Sequence, residues 1–349
     1  MSEPILLESV SELIGNTPSL QLRLRNSGWR LLIKLEKVNP GGSMKDRMAR
    51  HMVMDAERRG LLRPGGTIVE SSSGNTGIGL AMIAAERGYR FIAIVDHHAS
   101  KDKIRIMRAL GADIITVGQG KAADEVATAD RDRMAEKVAR ELPGAHWTRQ
   151  HDNPANAQAY SDTLAGELLR ATEGRLDVLV GAVGTGGSLC GTARFLKQQL
   201  PRLHVAGVEP AGSIIFGGPG MPYYQSGTGT PEGADVGEVM DYSLIDEGLK
   251  VTDAQAFNTS RFLARRYALL LGGSSGGVIY KAIELLSRRS GSGTMVAIAG
   301  DGGEKYLDTV FDDGWMKSVN LLDLSVEAFL DEALAPRSGR AQAAPAAAT

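Results

Sequence analysis

The sequence predicts an α/β protein of two doubly wound domains with parallel-type sheets. Short β-rich runs alternate with helical patterns along the chain, which is the pattern of parallel sheets covered on both faces. Five glycine clusters fall between an expected strand and an expected helix. The 349 residues suit roughly two domains of ordinary size.

In chain order, "NPGGSMKDR" (39–47) opens a helix at Ser43. The apolar residues Met44, Met48 and Met52 follow at helical spacing, and Ser43 with Asp46 fits the Ser-x-x-Asp start signal. Lys45 then lies in the first turn, where a cation meets the positive end of the helix dipole. "TIVE" (67–70) is a strand leading into the helix "TGIGLAMIAAERG". "FIAIVD" (91–96) leads into "SKDKIRIMRALG". "DIITV" (113–117) precedes a long charged helix from about Ala122 to Leu142. "DVLVGAV" (177–183) precedes "SLCGTARFLKQQL", and "HVAGVE" (204–209) and "TMVAIAG" (294–300) complete the expected strands. Residues 39–153 form a smaller, mobile domain inserted into a larger one made of 1–38 and 154–330, and the low-complexity tail 335–349 is expected to be disordered.

The formal net charge of −2 lacks the basic footprint of a nucleic-acid binder. Cys190 is the single cysteine, so neither an intrachain disulfide nor a cysteine-rich metal site is expected. The N-terminal run "MSEPILLESV" carries acids rather than a basic leader, and no apolar run is long enough to span a bilayer. A cytoplasmic protein with no membrane partner is the expectation.

Glycine, at 43 residues, is concentrated in "NPGGS", "SSSGNTGIG", "GAVGTGGS", "GGSSGG" and "AGDGGE". Glycine at such junctions lets backbone approach a ligand closely. Three chemistries compete for these loops. For dinucleotide binding, the G-x-G-x-x-G spacing fails after Gly184 and Gly186, because Leu189 holds the third position; residues 184–188 remain a single-phosphate cradle at a helix start. For a serine hydrolase, "GGSSGG" offers Ser274 or Ser275. All six histidines precede it, against the hydrolase order, so a glycine turn explains it better. The third reading begins with Lys45. An amine at a helix start favours its neutral form, which is what condenses with an aldehyde. A surface lysine is the plain alternative for Lys45 taken alone.

The ordered motifs "NPGGSMKDR", "ESSSGNTGIGLA", "GAVGTGGS", "GGSSGG" and "GGEKYLDT" resemble those of the cysteine synthase/cystathionine β-synthase family, from about Leu7 to Phe311. That family is the β-family, or fold type II (tryptophan synthase β-like), of pyridoxal 5'-phosphate (PLP) enzymes. The resemblance implies that Lys45 binds PLP covalently and is the catalytic base. It implies that Asn75 holds the cofactor's 3-oxygen, and that Gly184, Thr185, Gly186, Gly187 and Ser188 bind its phosphate. It implies further that Ser72, Ser73, Gly74, Asn75 and Thr76, assisted by Gln150, grip the substrate α-carboxylate. Such enzymes often set a serine against the pyridine nitrogen; here Gly302 aligns with it, and Asp301 beside it receives no role.

The implied activity is β-replacement on O-acetyl- or O-phospho-L-serine through an aminoacrylate, by a homodimer taking small amino-acid substrates. "NPGGSMKDR", "VDHHASKDKIRIMRALGAD", "AGSIIFGG" and "YLDTVFDDGW" look closer to the branch that adds an amine such as L-glutamate, giving a 2,3-diaminopropionate precursor for siderophores or antibiotics. "GTGGS" and "NPAN" look like ordinary cysteine synthases, which add sulfide. His97 and His98, after the strand end at Asp96, are either substrate contacts or a surface pair. A catalytically silent binding protein stays open.

Overall fold

The computed structural model describes residues 6–97, 99–118 and 128–335. The strands are β1 (Ser19–Leu22), β2 (Gly28–Leu35), β3 (Thr67–Ser71), β4 (Arg90–Asp96), β5 (Asp113–Val117), β6 (Ala145–Trp147), β7 (Val178–Ala182), β8 (His204–Pro210), β9 (Glu247–Val251) and β10 (Ser292–Ala299). They form a six-stranded sheet in the order β1-β2-β10-β7-β8-β9 and a four-stranded sheet in the order β5-β4-β3-β6. Every pairing is parallel except that of β1 with β2.

The helices are α1 (Lys45–Arg58), α2 (Asn75–Arg87), α3 (Lys101–Ala109), α4 (Thr128–Glu141), α5 (Pro154–Asp162), α6 (Leu164–Ala171), α7 (Gly187–Gln199), α8 (Asp253–Tyr267), α9 (Gly273–Ser287), α10 (Asp313–Ser318) and α11 (Leu324–Ala333). Side chains of a strand alternate between its two faces, and that alternation sorts the interior into layers. In β10, Val296 and Ile298 face one core while Met295, Ala297 and Ala299 face another. In β4, Phe91, Ala93 and Val95 face the first core, and Ile92 and Ile94 face a third one against α4. The first core is shared by the two sheets: it joins Met48 and Met52 of α1, Ile78 and Ile83 of α2, Tyr160 of α5 and Leu189 of α7 to Leu179 of β7. The second core packs α8, α9 and α11 against the far face of the larger sheet. Burial on both faces explains why these strands read as continuous apolar runs.

The methionine stripe of α1 lies in the core as its spacing predicts, with Met48 and Met52 fully buried. Strands β1, β2, β6 and β9 were not visible as such in the alternation of runs. β6 is only three residues long, and Lys34 and Arg30 break the apolar run of β2. Of the long charged helix expected from Ala122, the part from Thr128 to Glu141 is seen, and 122–127 lie outside the described residues. The expected tail 335–349 also lies outside them beyond Ala335. No helix among the described residues is long and apolar enough to cross a membrane.

Candidate active site

The carboxyl ends of β2, β3, β7 and β10 each lead into a glycine-containing turn, and three of these turns run into the starts of α1, α2 and α7. Open parallel sheets bind ligands at such ends.

The turn before α1 departs from the Ser-x-x-Asp start read in the sequence. The helix begins at Lys45, and Ser43 pairs with Asp301 in an isolated antiparallel bridge. The Ser43 hydroxyl accepts the Lys45 N–H at 3.2 Å. The Asp46 carboxylate reaches past Ser43 and accepts the Gly41 N–H at 2.6 Å. A Cβ at Gly41 would lie 2.4 Å from Asp46 Oδ1, so that glycine makes room for the carboxylate, and Gly42 takes a positive φ of 74°. The two glycines thus shape the turn that presents Lys45.

Lys45 as a whole residue is half-buried, and its amine is enclosed by protein. Burial lowers its pKa from 10.5 to about 8, against the opposing pull of the Asp301 carboxylate. Desolvation is therefore the leading cause of the shift. Beneath this turn, Arg47 forms a buried network with Glu36 and Glu167 at 2.7 Å each, and Lys34 meets Glu167 at 2.7 Å. The network locks the first turn of α1 to β2 and α6.

At the start of α2, Ser72 Oγ accepts the N–H groups of Gly74 (3.3 Å) and Gly77 (3.1 Å). Ser73 Oγ accepts the Asp96 N–H and an Arg131 N–H, each at 3.1 Å. A serine whose oxygen already accepts two bonds has its own O–H left to offer a ligand. Thr76 instead donates to Gln150 Oε1 at 2.7 Å, and Gln150 Nε2 donates to the Ser71 carbonyl at 3.1 Å. Gln150 therefore braces the 71–76 loop with its amide, and its position beside a substrate carboxylate is not needed to explain it.

At the start of α7, Gly186 has a positive φ of 81°, and Thr185 Oγ1 accepts from Asn156 Nδ2 (3.1 Å) and the Gly187 N–H (3.3 Å). Its proton is likewise left for a ligand. A Cβ at Gly187 would lie 2.2 Å from Asn156 Oδ1, and one at Gly186 would lie 2.7 Å from Met240 Sδ. The first N–H groups of a helix have no partner within it, and they suit an anion. Asn156 also donates to the Gln150 carbonyl (2.8 Å), while Tyr160, one turn along α5, donates to the Met44 carbonyl (3.1 Å). One face of α5 therefore fixes the lysine turn, the Gln150 segment and the 184–188 loop relative to one another.

Asn75, the first residue of α2, donates from Nδ2 to Asp301 Oδ2 at 2.9 Å and accepts at Oδ1 from Lys305 at 2.8 Å. Tyr306 donates to the same Asp301 oxygen at 2.6 Å. Burial and the neighbouring Asp301 hold the Tyr306 phenol well above its ordinary pKa, which keeps it a donor. Lys103 of α3 donates to Tyr306 at 3.2 Å and to Ser226 at 2.9 Å, and burial brings its pKa down to about 8. At 302 there is no hydroxyl, and a Cβ there would meet Glu304 Oε2 at 2.0 Å.

The structure thus brings together Lys45, Asn75 and the 72–76 loop through Asp301 and α2, and ties 184–188 to them through α5. His97 stands in the turn after β4, and His98 lies outside the described residues. Ser275 lies buried at the start of α9, hydrogen-bonded to the backbone of Asp301, which fits a turn rather than a nucleophile. Asp301, Lys305, Tyr306, Lys103, Ser226 and Asn156 were missed as site residues. The motifs of Lys305, Tyr306 and Asn156, "GGEKY" and "NPAN", were visible, but nothing in the order of residues pairs Asn75 with a carboxylate 226 positions away.

These groups fit a phosphorylated aldehyde. There is an amine of lowered pKa, a glycine cradle that a Cβ would fill, and a buried carboxylate oxygen, Asp301 Oδ1, without a hydrogen-bond partner among the described residues. The comparisons agree. A protein of Sinorhizobium fredii named "Putative cysteine synthase" is 54% identical over 327 residues, covering 94% of this chain and 97% of that one. The structure of a hydrogen sulfide-producing enzyme from Fusobacterium nucleatum matches with a TM-score of 0.82 at 34% identity, covering 86% of this chain and 100% of that one. The structure of O-ureido-L-serine synthase matches with a TM-score of 0.81 at 34% identity, covering 90% and 100%. The pyridoxal-phosphate dependent enzyme family model matches residues 10–301, which span Lys45, both anion loops and Asp301. With the amine, the cradle and the sheet order all in agreement, this chain belongs to the pyridoxal-phosphate dependent enzymes, and PLP is its cofactor.

Proposed function

We propose that this enzyme replaces the β-substituent of an O-activated L-serine, O-phospho- or O-acetyl-L-serine, with an amine such as that of L-glutamate, giving a 2,3-diaminopropionate precursor. The observation that carries the β-replacement reading is the Lys45 amine, brought to a pKa of about 8 beside two anion-binding helix starts. When bound, PLP supplies the electron sink that makes an amino-acid α-proton acidic and lets a β-substituent leave.

The chain's residues do the rest. Lys45 Nζ anchors the cofactor, and its free amine takes the α-proton and later returns it; a base is most effective when its pKa lies near the working pH. The N–H groups of Gly184–Ser188 and the Thr185 hydroxyl hold the phosphate. Asn75 Nδ2 offers its second hydrogen to the cofactor's phenolic oxygen. Ser72, Ser73, Gly74, Asn75 and Thr76 receive the substrate carboxylate with N–H groups at the start of α2 and the two spare serine protons. Residues 39–153, which carry that loop, close over the substrate and exclude water.

The amine branch is supported by the runs "NPGGSMKDR", "VDHHASKDKIRIMRALGAD", "AGSIIFGG" and "YLDTVFDDGW". Sulfide as nucleophile is the second reading, favoured by the name of the Sinorhizobium fredii relative. Product analysis by mass spectrometry separates them. The purified enzyme receives O-phosphoserine or O-acetylserine, each with L-glutamate or sulfide. A glutamate adduct formed in preference to cysteine is expected; efficient cysteine formation with no adduct overturns the amine branch in favour of sulfide.

A further inference from the structure

We propose that Asp301 and Lys305 are positioning residues that lock the Asn75 side-chain amide in the one orientation that offers an N–H to the cofactor's phenolic oxygen. The inference rests on the reading of Asn75 given above and goes beyond it, by naming what sets that residue's direction.

An asparagine amide has two nearly isosteric ends, and its orientation follows from its partners. Here the partners admit a single answer. A lysine ammonium only donates, so the atom 2.8 Å from Lys305 Nζ is the amide oxygen. An ionised carboxylate only accepts, so the atom 2.9 Å from Asp301 Oδ2 is the amide nitrogen. Turning the amide over would set N–H against ammonium and carbonyl against carboxylate, two repulsive contacts in a buried place. The nitrogen spends one hydrogen on Asp301; the other, beside the Tyr306 hydroxyl, is the one assigned to the cofactor.

Both clamp residues are themselves held. Asp301 is 3% exposed, and its backbone bridges Ser43 and accepts the Gly272 N–H. Its Oδ2 takes a second bond from Tyr306, which receives Lys103 in turn. Lys305, 8% exposed, donates also to the carbonyls of Gly41 (3.1 Å) and Gly42 (3.4 Å), the turn that presents Lys45. The clamp therefore joins the cofactor-anchoring turn to Asn75 through one ammonium. Charged hydrogen bonds of this kind are the stronger ones, which suits a part that must resist rotation.

The test uses the holoenzyme and reads PLP retention by equilibrium dialysis together with the pH dependence of the visible absorbance band. Asn75→Ala is the reference. Asp301→Leu and Lys305→Met should each weaken PLP retention about tenfold and move the band as Asn75→Ala does. Asp301→Asn keeps an oxygen that accepts from Asn75 and should stay nearer the wild type in both readouts. Lys305→Met is a separate variant and keeps the test decisive even where Asp301→Leu does not fold. Wild-type retention and absorbance in Lys305→Met, where Asn75→Ala changes both, overturns the clamp. Should Asn75→Ala itself change neither readout, the reading of Asn75 as a cofactor contact fails first, and the clamp falls with it.

Discussion

The loop before α2 and the loop before α7 both carry a parallel strand through glycines into a helix start, and each offers the spare proton of a hydroxyl that already accepts two bonds. Their construction differs. The loop at 72–76 is polar and braced by side chains: Ser72, Ser73, Thr76 and Asn75 each hold a partner from elsewhere in the loop or from across the cleft. The loop at 184–188 is nearly bare backbone, pressed against Asn156 and Met240 with no room for a side chain at Gly186 or Gly187. At Gly74, by contrast, a Cβ would meet nothing within 4 Å. The difference matches the two anions proposed for them. A permanently held phosphate suits a close-packed backbone cradle, whereas a carboxylate that comes and goes suits hydroxyl donors.

The largest effect lies outside both loops, at the amine they serve. Lys45→Ala should lower turnover of the serine derivative by about 10²–10⁴-fold or more, the range of a lost acid–base group; wild-type-like turnover in a steady-state assay would sink the assignment. Next comes the bare loop. Gly186→Asp adds a like charge to the phosphate site and strains a left-handed position, so PLP retention should fall by at least about tenfold. Unchanged retention after dialysis counts against the cradle.

The pH dependence sharpens the comparison at the lysine. Only the neutral amine captures PLP, and its pKa lies at about 8 instead of 10.5. Capture of PLP by the apoprotein should therefore slow about tenfold per pH unit below that value and level off above it. A rate still climbing steeply at high pH, as for an ordinary lysine, would show that burial does not act on Lys45.

The smallest effects test the braced loop. Ser72→Ala removes an oxygen that takes two N–H groups at the start of α2, and should cost about 1 kcal/mol in thermal or denaturant unfolding. Gly74→Ala should change stability by less than about 0.5 kcal/mol, whereas Gly186→Ala should cost about 1–2 kcal/mol for its left-handed backbone. Equal costs at the two glycines would erase the contrast drawn between the loops.

Much of this was legible in the residues. The strand runs read from Thr67, Phe91, Asp113, Asp177, His204 and Thr294 fall on β3, β4, β5, β7, β8 and β10, most of them because strands buried on both faces are apolar throughout. Lys45 in a first turn was visible, and so was the direction of its pKa shift; the burial that drives it, and the opposing Asp301 carboxylate some 256 positions later, were not. The start of α1 was read slightly early: the Ser43 hydroxyl does take a first-turn N–H, but the helix begins at Lys45 and the Asp46 carboxylate turns back to the preceding loop. Asp46 bonds Gly41, and Ser43 bonds Lys45.

The sequence by itself determined the alternating α/β order, the glycine junctions and the lysine among them, since these follow from local propensity, periodicity and backbone freedom. Only the tertiary structure decided which junctions face one cleft, that α5 spaces the lysine turn from the 184–188 loop, and that Asp301 and Lys305 set the direction of Asn75. Those are contacts between atoms far apart along the chain. Their distances are fixed by the packing of two sheets around a shared core, and no local rule contains that packing.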